Sequence, residues 1–208
     1  MKSFKLILIL LAPCLLLGRP PPELSATGAL IVIDAGHGGA DEGAKVQTVI
    51  EKRLTLTTAL LTKKWLERMG YRVLLTRSRD IFVPLARRTK IANKEKAAAF
   101  VSIHFNSSSN RAAKGIEIYF HEARDRDRAR ASKKLASAVL LTMLHETAAA
   151  SRGIRKGNFH VVRETEMPAI LVEGGFMTNY EERFSLKDRR YLESLARGIA
   201  RGIEAFFE

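Results

Sequence analysis

The chain has 208 residues, 46% hydrophobic and 27% charged, which is the make-up of one folded domain and excludes intrinsic disorder and collagen-like repeats. Against 22 Asp and Glu stand 35 Lys and Arg, a formal charge of +13 that favours an anionic partner: nucleic acid, an anionic membrane or an acidic wall polymer. Aromatic residues at 7%, with a single Trp, offer little for stacking bases, and a single Cys excludes an intrachain disulfide framework or a cysteine-based zinc knuckle.

Residues 1–5 carry two lysines and residues 6–18 are almost wholly apolar, the pattern of a secretory signal. The run is shorter than the roughly 20 residues a helix needs to cross a bilayer, and Pro13 interrupts it. The stretch 18–23 (GRPPPE) reads as an exposed spacer, and Ala26-x-Gly28 offers small residues for cleavage. Cys14 loosely resembles an acylation site, but the preceding proline argues against lipidation. Residues 1–28 are therefore expected to be a signal and spacer, and residues 29–208 one domain, exported to the periplasm or cell envelope with no membrane span left after processing.

From Ala29 onward, strand-like and helical runs alternate. The apolar run 29–34 (ALIVID) reads as a strand buried on both faces. Ile50, Leu54, Leu61, Trp65 and Met69 form one helical stripe that Gly70 ends. A strand over 71–76, a basic helix over 85–95 and strands over 99–104 and 115–120 follow. The charged stretch 124–134 reads as the solvated start of a helix over about 127–148, whose core stripe is Leu135, Val139 and Met143. A loop over 151–158, strands over 159–163 and 169–173, and a terminal helix with Leu192, Leu195, Ile199, Ile203 and Phe206 on one face complete the chain. Strands separated by helices predict a single α/β domain with a mostly parallel, twisted sheet flanked by helices.

In such sheets the working groups gather beyond the carboxyl ends of the strands. Three strand ends carry unusual residues: Asp34-Ala35-Gly36-His37-Gly38-Gly39, then His104-Phe105-Asn106, then Glu173-Gly174-Gly175. Glu51 opens the first helix, close enough in sequence to fold back over His37. Two His and one Glu are an established set for catalytic zinc, with a position left for water, and Glu173 is then free to act as general base. A lone strand-end histidine is more often a hydrogen-bonding residue, and a lone glutamate at a helix start more often a favourable charge on the dipole. Four coincident placements shift that balance, because unpaired charges at the ends of buried strands are costly. His121, His145 and His160 lack such settings and are read as ordinary polar residues.

The segments IVIDAGHGG (31–39), EKRLTL (51–56), VSIHFN (101–106) and ILVEGGFMTN (170–179) resemble the four signatures of the zinc-dependent N-acetylmuramoyl-L-alanine amidases of the cell-separation type. The stretches 70–77, 88–93, 114–120 and 167–173 agree, so the likeness covers nearly all of 29–208. Ala35 departs from it, where proline is usual. The resemblance implies one zinc per chain on His37, Glu51 and His104, with Glu173 as the catalytic carboxylate. It implies as substrate the amide between N-acetylmuramic acid and L-alanine of peptidoglycan, and a role in wall remodelling and daughter-cell separation. Glu173 would take the proton of the attacking water and return it to the departing alanine nitrogen. The basic charge then suits attraction to carboxylate-bearing stem peptides, or serves solubility alone.

Two rival functions have less support. Ser108-Ser109-Asn110 and Lys114-Gly115 match fragments of a penicillin-binding-type serine site, but no S-x-x-K occurs in the chain. A basic wall- or nucleic-acid-binding module explains the charge but not the His37, Glu51 and His104 set, and export disfavours nucleic acid. Between His104 and Glu173 every expected element is needed by the sheet and its covering layer. No helix is therefore left to plug the site, although Glu146 is the carboxylate to watch, and activity is expected without an activator protein.

Overall fold

The computed structural model describes residues 28–122 and 124–208. Residues 1–27 of the expected export segment, Cys14 among them, lie outside this range. The strands are β1 (Leu30–Ala35), β2 (Lys45–Val46), β3 (Val49–Ile50), β4 (Arg72–Leu75), β5 (Ala99–Asn106), β6 (Ile116–Phe120), β7 (Ser151–Lys156) and β8 (Ala169–Phe176). The helices are α1 (Glu51–Arg68), α2 (Leu85–Lys94), α3 (Arg126–Thr147), α4 (His160–Arg163), α5 (Tyr180–Leu186) and α6 (Arg189–Phe207).

Six strands form one sheet in the order β4-β1-β5-β8-β6-β7, and β2 and β3 form a small hairpin ahead of α1. The pairs β4–β1, β1–β5 and β5–β8 are parallel, β8–β6 is antiparallel, and β6–β7 is parallel again. The expected mostly parallel sheet is therefore present, with its last two strands reversed as a pair. The reversal has a simple cause. The connection 107–115 runs directly from the end of β5 to the start of β6, with no helix to carry the chain back for a parallel crossover.

Alternation along the strands sends Ile31, Ile33, Val101, Ile103, Ile118, Ile170 and Val172 to one face, where they meet Leu61, Leu135, Val139, Leu195 and Ile199 of α1, α3 and α6. This is the main core. The three helices reach 18, 22 and 19 residues because long apolar stripes give them a continuous surface to bury. Asp125 caps α3 by accepting from the backbone of Asp127 and Arg128, and Asp188 caps α6 by accepting from Arg190. The other face carries a smaller cluster of Val32, Phe100, Leu171, Val161 and Val162, covered by the short helices α2 and α4. Among the described residues no helix is long and apolar enough to cross a membrane.

Two expectations are corrected. The run 159–163 is the helix α4 rather than a strand: Phe159 O accepts from Val162 and Arg163, and β-branched Val161 and Val162 are buried against the small cluster. The stretch 151–158 is no loop over most of its length, because Ser151–Lys156 pairs along β6 as the outermost strand. The expected ends of the other elements agree with those observed to within a few residues.

Candidate active site

The loop after β1 is held in an unusual conformation. His37 lies at φ 61° and Gly38 and Gly39 at 125° and 59°, so the chain turns through the left-handed region at a non-glycine residue. Two buried arginines hold it there. Arg88 donates to Ala35 O (2.6 Å) and His37 O (2.8 Å), and Arg77 donates to Ala35 O (3.0 Å) and Gly36 O (2.8 Å). Arg88 is compensated by Asp34 at 2.8 Å, which also accepts from Thr76 (2.6 Å) and Ser102 (2.7 Å). A fully bonded ion pair beneath the loop resists the local strain.

On this support three ligand atoms converge. Glu51 Oε1 lies 3.0 Å from His37 Nε2 and 3.0 Å from His104 Nδ1, and one donor atom from each residue falls within 4.8 Å of the others. Glu51 is the first residue of α1, and its carboxylate is fixed by the backbone N–H groups of Ala44 (2.8 Å) and Phe105 (3.2 Å). Asp41 sits 2.9 Å from His37 Nδ1, so a carboxylate orients the ring from its far side, as is common behind a metal-binding imidazole. A Cβ at Gly43 would stand 2.6 Å from Glu51 Oε2 and 2.7 Å from His37 Cδ2, and one at Gly36 would collide with the His104 ring. Glycine at both positions is what lets the loops close round these side chains. Two imidazole nitrogens and one carboxylate oxygen, oriented in this way, fit a zinc ion.

The protonation states are coupled. Burial disfavours the charged form of Glu51, but hydrogen bonds and charge interactions with His104 and His37 outweigh it and hold the carboxyl far below its usual range. Burial likewise depresses His37, yet Glu51 first and Asp41 second raise it above the ordinary value. Glu173 behaves in the opposite way. It lines the same cavity, of about 340 Å³, as His37, Glu51 and His104, and stands in register beside His104 on the neighbouring strand. Its Oε2 is shut off from solvent and has no hydrogen-bond partner among the described residues. Burial, then the charges of Glu51 and Glu117, push its pKa well above the usual carboxylate range. Apolar walls from Leu85, Phe159, Val161 and Leu171 complete the cavity.

All four expected site residues are thus brought to one cavity. His160, read from sequence as an ordinary polar residue, also lines it, with Nε2 enclosed and without a partner among the described residues. Glu146 is directed elsewhere: it pairs with Arg197 and Arg201 of α6. Among the described residues no carboxylate from 122–150 joins the group of three. Ser108 Oγ accepts from Asn110 N at 3.1 Å and Asn110 Oδ1 from Ala112 N at 2.9 Å, so the serine–asparagine element is turn chemistry rather than a nucleophile with a base. Sequence reasoning missed Asp41, Arg77, Arg88 and Glu117. The arginines fall in stretches that match the family, 70–77 and 88–93, which was the available signal.

Residues 31–205 match the family model described as N-acetylmuramoyl-L-alanine amidase. The chain belongs to this amidase family. The sporulation-specific N-acetylmuramoyl-L-alanine amidase of Bacillus subtilis (strain 168) is 38% identical over 179 residues, covering 85% of this chain and 68% of that protein. The catalytic domain of CwlV, an N-acetylmuramoyl-L-alanine amidase from Bacillus (Paenibacillus) polymyxa var. colistinus, superposes with a TM-score of 0.80 at 41% identity, over 86% of this chain and 97% of that one. The CwlD amidase from Clostridioides difficile, solved in complex with the GerS lipoprotein, superposes with a TM-score of 0.80 at 26% identity, over 86% of this chain and 98% of that one. The amidase fold thus accounts for the whole sheet and the helices that flank it.

Proposed function

We propose that the protein is a zinc-dependent peptidoglycan hydrolase that cleaves the amide between N-acetylmuramic acid and L-alanine. His37, Glu51 and His104 hold one zinc ion, and Glu173 is the catalytic carboxylate. The observation that carries this reading is the shared Glu51 oxygen, 3.0 Å from both imidazoles, in one cavity with an unpartnered carboxylate. Zinc, when bound, supplies Lewis acidity that activates water and polarises the carbonyl. Glu173 takes the proton of the attacking water and passes it to the departing alanine nitrogen.

Residues 1–28 direct export, residues 29–208 form the catalytic domain, and the enzyme acts in the cell envelope in wall remodelling and daughter-cell separation. Because Glu146 is tied to α6, no helix needs to be withdrawn and no activator is required, unlike an arrangement in which a partner uncovers the site. The test is digestion of purified peptidoglycan followed by mass spectrometry, with the protein as isolated, after chelation, and as the His37→Ala variant. The expected result is release of stem peptides with free L-alanine amino termini by the untreated protein alone, with no added partner, and loss of zinc in His37→Ala. Unchanged digestion after chelation, or digestion only with a second protein, refutes the corresponding part.

A further inference from the structure

On the side of Glu173 away from the zinc ligands, the sheet carries a second polar cluster: Glu117, whose charge raises the proton affinity of Glu173, and two arginines with no part in the hydrolysis just described. Glu117 is 3% exposed and pairs directly across from Glu173, so both side chains leave the same face. A buried carboxylate beside another is costly unless it is fully bonded. Here Asn106 Nδ2 (2.7 Å) and Tyr119 Oη (2.8 Å) donate to Oε1, while Arg152 Nε (2.9 Å) and Arg155 Nε (3.1 Å) reach Oε2.

Glu117 faces two guanidinium groups, and Glu182, whose carboxylate accepts from Phe176 N and Gly115 N, also interacts by charge with Arg152. Each arginine uses only its Nε on Glu117, and among the described residues the terminal nitrogens of neither have a protein acceptor. The two side chains remain 32% and 47% exposed. Arg152 is further steadied by Phe176, whose ring centroid lies 4.9 Å from its guanidinium carbon. Two rows cross the sheet here: Glu173 beside Glu117, and Leu171 beside Tyr119 beside Arg155. Glu173 and Leu171 line the catalytic cavity, and Tyr119 packs edge-on, at 5.0 Å, against Phe159 of the cavity wall. The arginines do not line the cavity themselves; they stand on β7, two strands beyond Glu173 on the same face of the sheet.

We infer that Arg152 and Arg155 form a carboxylate-binding subsite for the stem peptide, on the leaving-group side of the scissile bond. This rests on the amidase reading above. Arg152 is bonded to Glu117 through Nε and Arg155 is ion-paired with it through Nε, so the terminal donors of both partly exposed forks are left for bidentate contact with a carboxylate. Adjacent strands are roughly 5 Å apart, so Glu117 lies about that far beyond Glu173, with the guanidinium groups one hydrogen bond further. Extended peptide advances about 3.3–3.6 Å per residue, so the carboxylate reached belongs to the second or third stem residue.

The experiment gives purified, zinc-loaded protein two soluble muramyl tripeptides, one with free stem carboxylates and the same compound with those carboxylates amidated. Wild-type kcat/KM is expected to favour the free acid by about tenfold or more, mainly through KM. Arg155→Ala and Arg152→Ala bring that ratio toward one, and Arg155→Lys restores part of it, having the charge without the fork. Arg130→Ala, which removes an exposed charge on α3, keeps the ratio. Equilibrium binding of the two compounds to the inactive Glu173→Gln variant follows the same order. Equal cleavage of both by the wild type overturns the subsite, as does an Arg155→Ala that slows both equally with the ratio intact. Cleavage of neither overturns the amidase reading and the subsite with it.

Discussion

The two faces of the sheet are made for different tasks. One is sealed by α1, α3 and α6 over an unbroken layer of Ile, Val and Leu. The other is covered only in part, by α2 and α4, and beyond that cover it carries Asp34, Ser102, His104, Glu173 and Glu117 in place of apolar side chains. The same strands supply both sets, since successive residues alternate sides. Val101 and Ile103 stabilise the fold, while Ser102 and His104, interleaved with them, serve the site. Chemistry is thus placed on the less well covered face, and its cost in buried charge is offset by bonding most of the polar groups to partners, with Glu173 Oε2 and His160 Nε2 as exceptions among the described residues.

The comparison is broken most severely at Glu173. Glu173→Gln is expected to lower kcat by about 10²–10⁴ while zinc content stays at one per chain, measured by metal analysis and steady-state kinetics. Near-normal turnover would assign the proton transfers to another group. On the sealed face the reverse holds. Leu135→Ala removes a wholly buried side chain and should cost about 2–5 kcal/mol in chemical denaturation, while kcat/KM of the folded protein is unchanged. A large loss of activity at intact stability would mean that the two faces are coupled.

The smallest expected effect sharpens the exception at Glu173. In the metal-free protein Glu173 has a raised pKa, so its contribution to stability is fully present below its ordinary value of 4.5. That contribution is lost as pH rises through the higher folded value. In a chelator, the Tm of Glu173→Gln should therefore exceed that of the wild type by a few degrees near pH 7, with the gap closing toward pH 4.5. A gap that stays constant across this range would mean that burial does not hold the proton on Glu173.

The four central residues were legible because each lies at a boundary that sequence reports well: the end of an apolar run or the start of a helix. His37, His104 and Glu173 follow buried strands, and Glu51 precedes a long stripe. Their supports were not legible. Arg88 and Asp34 are 54 positions apart, and an arginine in a basic helix gives no sign that it points inward. Glu117 alternates in a strand as any exposed residue would, and only the reversed pairing with β8 places it opposite Glu173. The strand β7 has the sequence SRGIRK, which shows no apolar alternation because it is an outer strand with little to bury. The helix α4, at four residues, is too short for periodicity to reveal, and its two valines suggest a strand.

Reversal of β6 has a further consequence. The end of β5 and the start of β6 lie at the same end of the sheet as the cavity, so residues 107–115 stay at that end, and Ser107 lines the cavity itself. They are fastened there from one side: Thr178 accepts from Ser108 N, Asn179 donates to Arg111 O, and Glu182 accepts from Gly115 N. Chain added between these anchors would lengthen the connection at the surface without passing through the core or changing the order of any strand. Here the architecture leaves room for novelty: a place where length and composition can be rewritten to suit a different wall while the rest of the enzyme stays as it is.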